Sequence, residues 1–200
     1  MKHELIESNI VILGKFNSSK FDKLFFIKNK LIKEDSFLDS SIFTPDFCRI
    51  DTKEILINIR SSQAVIVDKL SSDKANLNKI AKVMLLDEKN VTAIGLNFKY
   101  LFFANDILKH TKNVFFPTKS EIINSEFSDD NSAFGFYASK DFKNSRLKLD
   151  IKPVALTNIK DDSEIEALSF DFNYHILNEK SKLANTLDDY SSYLKEVEKI

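Results

Sequence analysis

The sequence predicts an α+β protein: a mainly antiparallel sheet in two similar halves, helices packed on one side, and an amphipathic helix at the C-terminal end. Three observations predict it. Strand-like stretches come in adjacent runs instead of alternating one for one with helices. The early strands are separated only by the short polar spacers DTK and SSQ, as in an antiparallel meander. Two longer strands also read alike, Leu96-Asn97-Phe98-Lys99-Tyr100-Leu101 and Phe172-Asn173-Tyr174-His175-Ile176-Leu177, each apolar, Asn, aromatic, basic, apolar, Leu. That likeness suggests two halves in which these strands hold equivalent places.

In chain order, NIVILG (9–14) is a short apolar run ended by Gly14, read as a buried first strand. From Ser18 to about Lys33 the period becomes helical, with Phe21, Leu24, Phe25, Leu31 and Ile32 on one stripe, Ser18 or Ser19 as N-cap and Asp22 in the first turn. After Pro45 the period returns to two in FCRI, EILINIR and AVIVD. SSDKANLNKIAKVMLLDE reads as a second helix, capped by Ser71 or Ser72, with Asp73 at its positive end and Leu77, Ile80, Ala81 and Met84 facing inward. VTAIGLNFKYLFF (91–103) is a strand, followed by a short helix around 105–110.

The later strands are FGFYAS, RLKLDI, PVALTNI and IEALSFDFNYHIL. In the terminal helix Leu183, Leu187, Tyr190, Leu194 and Val197 are spaced 4, 3, 4 and 3. The most loop-like stretch is 117–133, which sets the expected halves at 1–116 and 117–200 within one structural unit.

Composition limits the function. At 200 residues, 43% hydrophobic and 30% charged, the chain is long enough for one sizeable core. A net charge of -1 gives no global attraction to nucleic acid or an anionic membrane. MKHELIESNIVILG has too short an apolar run for a signal peptide, and no stretch approaches the ~18 apolar residues of a membrane span, so a cytoplasmic protein is expected. The single cysteine, Cys48, rules out an intramolecular disulfide and a cysteine-based zinc site. Three isolated glycines, Gly14, Gly95 and Gly135, exclude a phosphate-cradling loop and a dinucleotide fingerprint, and no cofactor is expected. Of 29 basic residues, 26 are lysine and only Arg49, Arg60 and Arg146 are arginine. That bias matches an AT-rich coding sequence, so a single exposed Lys or Asn carries little functional weight.

NIVILGKF, a helix, the strand pair ending in AVIVD, a second helix, VTAIGLNFKYLF with its Gly-x-Asn, and a closing DFNYH resemble a group of uncharacterised prokaryotic proteins of about this size. Those proteins are scattered sporadically among genomes and often lie near mobile elements. The resemblance covers roughly the first hundred residues and the last strand. It implies a shared fold and a role in mobile-element or defence biology, and it brings no catalytic residue.

Four features are candidates for chemistry or binding. Pro45-Asp46 with Asp51-Thr52-Lys53 echoes the P-D…D-x-K pattern of metal-dependent nucleases, which bring two carboxylates onto Mg²⁺ with the lysine near the scissile phosphate. On one strand, aspartates five apart would point to opposite faces ~17 Å from each other, which favours a solvated turn. Asp171, Asn173 and His175 share a strand face, but Asp171 and His175 lie ~13 Å apart and cannot ligate one ion. With Asn97 and Lys99 they form the candidate polar binding surface. Lys15 to Lys33 interleaves six lysines with phenylalanines, a pattern that can hold single-stranded nucleic acid, although its rings fit the inward face of a helix.

The fourth candidate is the terminal helix. Its stripe of Leu183, Leu187, Tyr190, Leu194 and Val197 suits either the protein's own sheet or another helix. The expectation is a non-enzymatic interaction or assembly component, with a protein partner or a second copy of the chain as the occupant of that stripe or of exposed sheet edges. The alternative is a metal-dependent nuclease or phosphodiesterase. Nucleic acid is not the favoured partner.

Overall fold

The computed structural model describes residues 2–71, 76–87, 90–116, 120–129, 131–157, 162–177 and 180–199. Its strands are β1 (Lys2–Gly14), β2 (Ile42–Phe43), β3 (Phe47–Asp51), β4 (Ile55–Arg60), β5 (Gln63–Asp68), β6 (Val91–Phe103), β7 (Phe136–Phe142), β8 (Ser145–Thr157) and β9 (Glu164–Leu177). The helices are α1 (Lys23–Lys28), α2 (Leu77–Asp87), α3 (Ile107–Phe115), α4 (Glu121–Glu126), α5 (Lys180–Asp188) and α6 (Tyr190–Val197). The nine strands form one antiparallel sheet in the order β2-β3-β4-β5-β1-β6-β9-β8-β7.

That order repeats a plan. β1 leads through α1 into the meander β2–β5, whose last strand returns to pair with β1. β6 leads through α3 and α4 into the meander β7–β9, whose last strand returns to pair with β6. β1 and β6 meet antiparallel at the centre, so the halves are related by an approximate two-fold rotation between them. The α+β class, the antiparallel sheet and the helices on one side are as expected.

β6 stands to the second meander as β1 stands to the first, and both meanders belong to one continuous sheet. The two strands that read alike, β6 and β9, are direct neighbours, with Asn97 opposite Asn173, and not equivalents. Their likeness follows from sharing one environment, since each alternates between the same two faces.

Residues opposite one another in adjacent antiparallel strands share a face. One row therefore crosses seven strands as Ile50, Ile57, Ile66, Ile10, Leu96, Tyr174 and Leu147, all buried. The next row reads Cys48, Ile59, Ala64, Ile12, Ile94 and Ile176. On this face α2 packs against β1 and β5, α5 and α6 against β6, and α3 against β8 and β9. The expected inward stripe of α2, Leu77, Ile80, Ala81 and Met84, is fully enclosed.

Several local expectations are corrected. The 18–33 segment is not one helix: Asn17 caps a 3-10 turn at Ser18–Lys20, and Asp22 restarts the chain as N-cap of α1 by accepting from Phe25 N. α1 then ends where Lys30 takes a positive φ of 55°. Ser71 does not cap α2; its φ is 48° and its hydroxyl donates to Ile6 O, while Ser72 and Asp73 lie outside the described residues. RLKLDI and PVALT are one strand, β8, and Asn158 and Ile159 lie outside the described residues. Beyond Ile151 β8 has no β7 residue opposite it, so Pro153 sits where its missing N–H disturbs no ladder on that side. The 117–133 stretch contains α4, capped by Ser120.

The terminal helix breaks at Asp189, where Asn78 of α2 donates to Leu187 O and Lys82 holds Asp188. Its stripe crosses the break intact and is wholly enclosed: Leu183 and Leu187 are 0% exposed, and Tyr190, Leu194 and Val197 at most 6%. Tyr190 packs on Phe98, and Tyr193 on Tyr174. The expected interaction helix is therefore core, and its apolar face is closed to a partner.

Candidate functional site

The second face of the sheet is built by the other strand parity. Its central rows read Arg49, Asn58, Val65, Val11, Gly95, His175, Arg146 and Asp141, then Asp51, Leu56, Val67, Asn9, Asn97, Asn173, Lys148 and Ser139. Leu56, Val65, Val67, Val11 and Leu13 are half-buried here, and none belongs to the two hydrophobic clusters that the helices cover. The five residues expected to form a polar surface, Asn97, Lys99, Asp171, Asn173 and His175, all lie on this face.

Across β1, β6 and β9 the amides form a ladder. Asn173 Nδ2 donates to Asn97 Oδ1 at 2.5 Å, Asn97 Nδ2 to Asn9 Oδ1 at 2.7 Å, and Asn9 Nδ2 to Glu7 Oε1 at 2.6 Å. Beside it runs a row of alternating charge. Lys99 lies 3.6 Å from Asp171, which lies 3.2 Å from Lys152, itself 2.6 Å from Asp150. Asp150 and then Asp171 raise the pKa of the Lys152 ammonium by accepting its hydrogen bonds. Glu7, Asn9, Asn97, Lys99, Asp171 and Asn173 line a shallow depression of about 260 Å³. His175 stands one row away, opposite Gly95 and Arg146. Gly95 lies between Val11 and His175, and a Cβ there would stand 3.5 Å from Asn173 Nδ2, 3.8 Å from Asn97 Nδ2 and 3.9 Å from Val11 Cβ.

All three arginines of the chain point to this face. Arg49 lies 3.3 Å from Asp51, Arg60 sits over the Phe47 ring at 5.8 Å, and Arg146 meets Asp141 at 3.0 Å and Ser139 Oγ at 2.7 Å. In a chain that uses lysine almost everywhere else, this placement is selective. Lysine would not replace the planar guanidinium, which stacks on rings and grips carboxylates in a fork. Among the strand residues whose side chains are described, the charges on this face balance: Arg49, Arg60, Arg146, Lys99, Lys148 and Lys152 stand against Glu4, Glu7, Asp51, Asp141, Asp150 and Asp171. The arginines and Asn9 were not singled out from the sequence. The available signal was the scarcity of arginine together with its place on the polar parity of already legible strands.

The nuclease pattern does not assemble. Asp51 ends β3 and accepts from Lys69 Nζ at 2.8 Å and Ser40 Oγ at 2.9 Å, and these bonds, led by Lys69, hold its carboxyl below the usual range. Asp46 and Lys53 are exposed in separate turns. Among the described residues no three His, Cys, Asp or Glu side chains converge as metal ligands would. The lysine-rich segment likewise turns its rings inward: Phe16, Phe21 and Phe26 are buried, with Phe25 edge-on to Phe21 at 4.9 Å. No helix among the described residues is long and apolar enough to cross a membrane. No protein-family model matches the chain, and no curated protein matches it either.

Proposed function

We propose that the protein is a non-enzymatic, protein-binding component of a mobile-element or defence-linked system, and that it engages its partner through the helix-free face of its sheet. The observation that supports this reading is the composition of that face: uncovered Val11, Leu56, Val65 and Val67 beside the chain's entire set of arginines. Arginine is among the residue types that protein interfaces enrich, and an uncovered apolar patch beside it is surface that a partner can bury. The balance of charge favours a protein partner of mixed charge over a polyanion, whose binding requires a net excess of lysine and arginine. The mobile-element or defence setting rests on the resemblance of the strand and helix order described above.

The test is isolation of the native protein with whatever binds it, followed by affinity measurement with the identified partner for Arg60→Glu and Val65→Asp. Both side chains leave the core face untouched, so circular dichroism should be unchanged while affinity falls by about 10- to 100-fold. Full binding by both variants would refute the reading. So would a partner that proves to be DNA or RNA bound at ~0.15 M salt.

A further inference from the structure

The two halves differ in one strand. The first meander has four strands and ends at β2; the second has three and ends at β7, with no further strand beyond it among the described residues. The two edges of the sheet are also unlike. β2 is two residues long and is followed at once by Thr44-Pro45, which blunts that edge. β7 is seven residues long, contains no proline, and keeps unbroken register with β8. Phe136 and Tyr137 on it are 46% and 61% exposed.

The two-residue turn Lys143-Asn144, with Lys143 at φ 50°, closes on Phe142 and Ser145. Ladder bonds alternate from that pair, so the N–H and C=O groups of Tyr137, Ser139 and Asp141 point away from β8. Those of Tyr137 and Asp141 form a template for another strand, while Ser139 O accepts from Arg146 Nη2 at 3.5 Å, a bond that strand pairing would replace.

We propose that β7 pairs antiparallel with β7 of a second copy of the chain, across a two-fold axis at Ser139. This does not rest on the partner reading above, which concerns the sheet face and not its edge. In that register Ser139 faces Ser139, Phe136 faces Phe142 on the helix side, Tyr137 faces Asp141 on the other side, and Ala138 faces Lys140. No like charges oppose each other, and each exposed Phe136 gains a cross-strand ring. The contact is isologous, so it closes as a dimer, whose remaining edges among the described residues are the two blunted β2 strands, and no filament follows.

The experiment is sedimentation of the full chain over roughly 1 to 200 µM, a range suited to a small strand-pairing interface. The mass should rise from 23.0 kDa toward twice that value. Ser139→Lys places two ammonium groups face to face and should weaken the dimer at least about tenfold; since the lysine also faces Arg146 and Lys148 of its own copy, circular dichroism is read beside the mass. Ser139→Pro removes the central outward N–H and gives a second, independent block. Ser139→Cys should form a covalent dimer under mild oxidation, because Cys48 is buried and does not compete. A 23.0 kDa species throughout the range, a Ser139→Lys variant that dimerises like the parent, or no cross-link through residue 139 would each overturn the proposal.

Discussion

Removal of the two terminal helices should unfold the protein, not release it from a partner. Leu183, Leu187, Tyr190, Tyr193, Leu194 and Val197 are all buried in the main core, against Phe98, Tyr174 and Phe142. Burying each such side chain is worth ~1.5–3 kcal/mol, so the six together contribute on the order of 10 kcal/mol. That is comparable to the entire stability of a domain, about 5–15 kcal/mol. A chain ending before residue 180 should therefore lack a cooperative transition.

The finer measurement is Leu187→Ala, at a side chain with 0% exposure. It should cost ~2–5 kcal/mol, the transfer free energy plus the cavity left behind. Urea unfolding followed by far-ultraviolet circular dichroism gives this as a lower midpoint with an unchanged slope. A cost under ~0.5 kcal/mol, or a folded truncated chain, would show that the helices do not complete the core and that their stripe is free to bind.

Alkaline pH should destabilise the fold. Burial pushes the Cys48 thiol from an ordinary 9.0 to about 12, and burial pushes Tyr174 and Tyr190 from 10.0 to about 12. These groups ionise in the unfolded chain first, so stability is complete below pH ~9 and falls by a few kcal/mol as pH rises toward ~12. A denaturation midpoint that is flat from pH 8 to about 11 would contradict this. Cys48 should also resist thiol reagents until the protein unfolds. The glycines should separate cleanly. A Cβ at Gly14 would meet Asn90 O at 2.6 Å and Val91 Cα at 2.9 Å, both backbone, so Gly14→Ala should cost ~1–3 kcal/mol. A Cβ at Gly95 meets nothing closer than 3.5 Å, so Gly95→Ala should melt like the parent.

The strands from β3 to β6, and β9, were legible because period-two alternation is a local property of extended backbone and needs no knowledge of neighbours. The inward stripe of α2 was legible for the same reason at a period of 3.6. The 18–33 segment and the terminal helix were read as continuous because apolar spacing passes over a break without a mark. The breaks themselves are made by side chains that compete for backbone groups: Asp22 at Phe25 N, and Asn78 at Leu187 O. β8 was cut at Pro153, since proline disturbs a strand only if a neighbour needs its N–H, and strand order alone says whether one does.

Residue order was thus sufficient for the two parities of each strand, the apolar set of the core and the class of the fold. It was not sufficient for which strands lie side by side. Pairing is decided by loop closure and by burial shared between distant segments, and similar alternation is required of every strand in one sheet. Hence β6 and β9 looked like equivalents and are neighbours, while the true counterparts, β1 and β6, share little sequence. The same physics separates the faces. Either parity of a half-apolar strand can be covered, and only the packing of α2, α3, α5 and α6 on one side left the three arginines, the asparagine ladder and Gly95 together on the other.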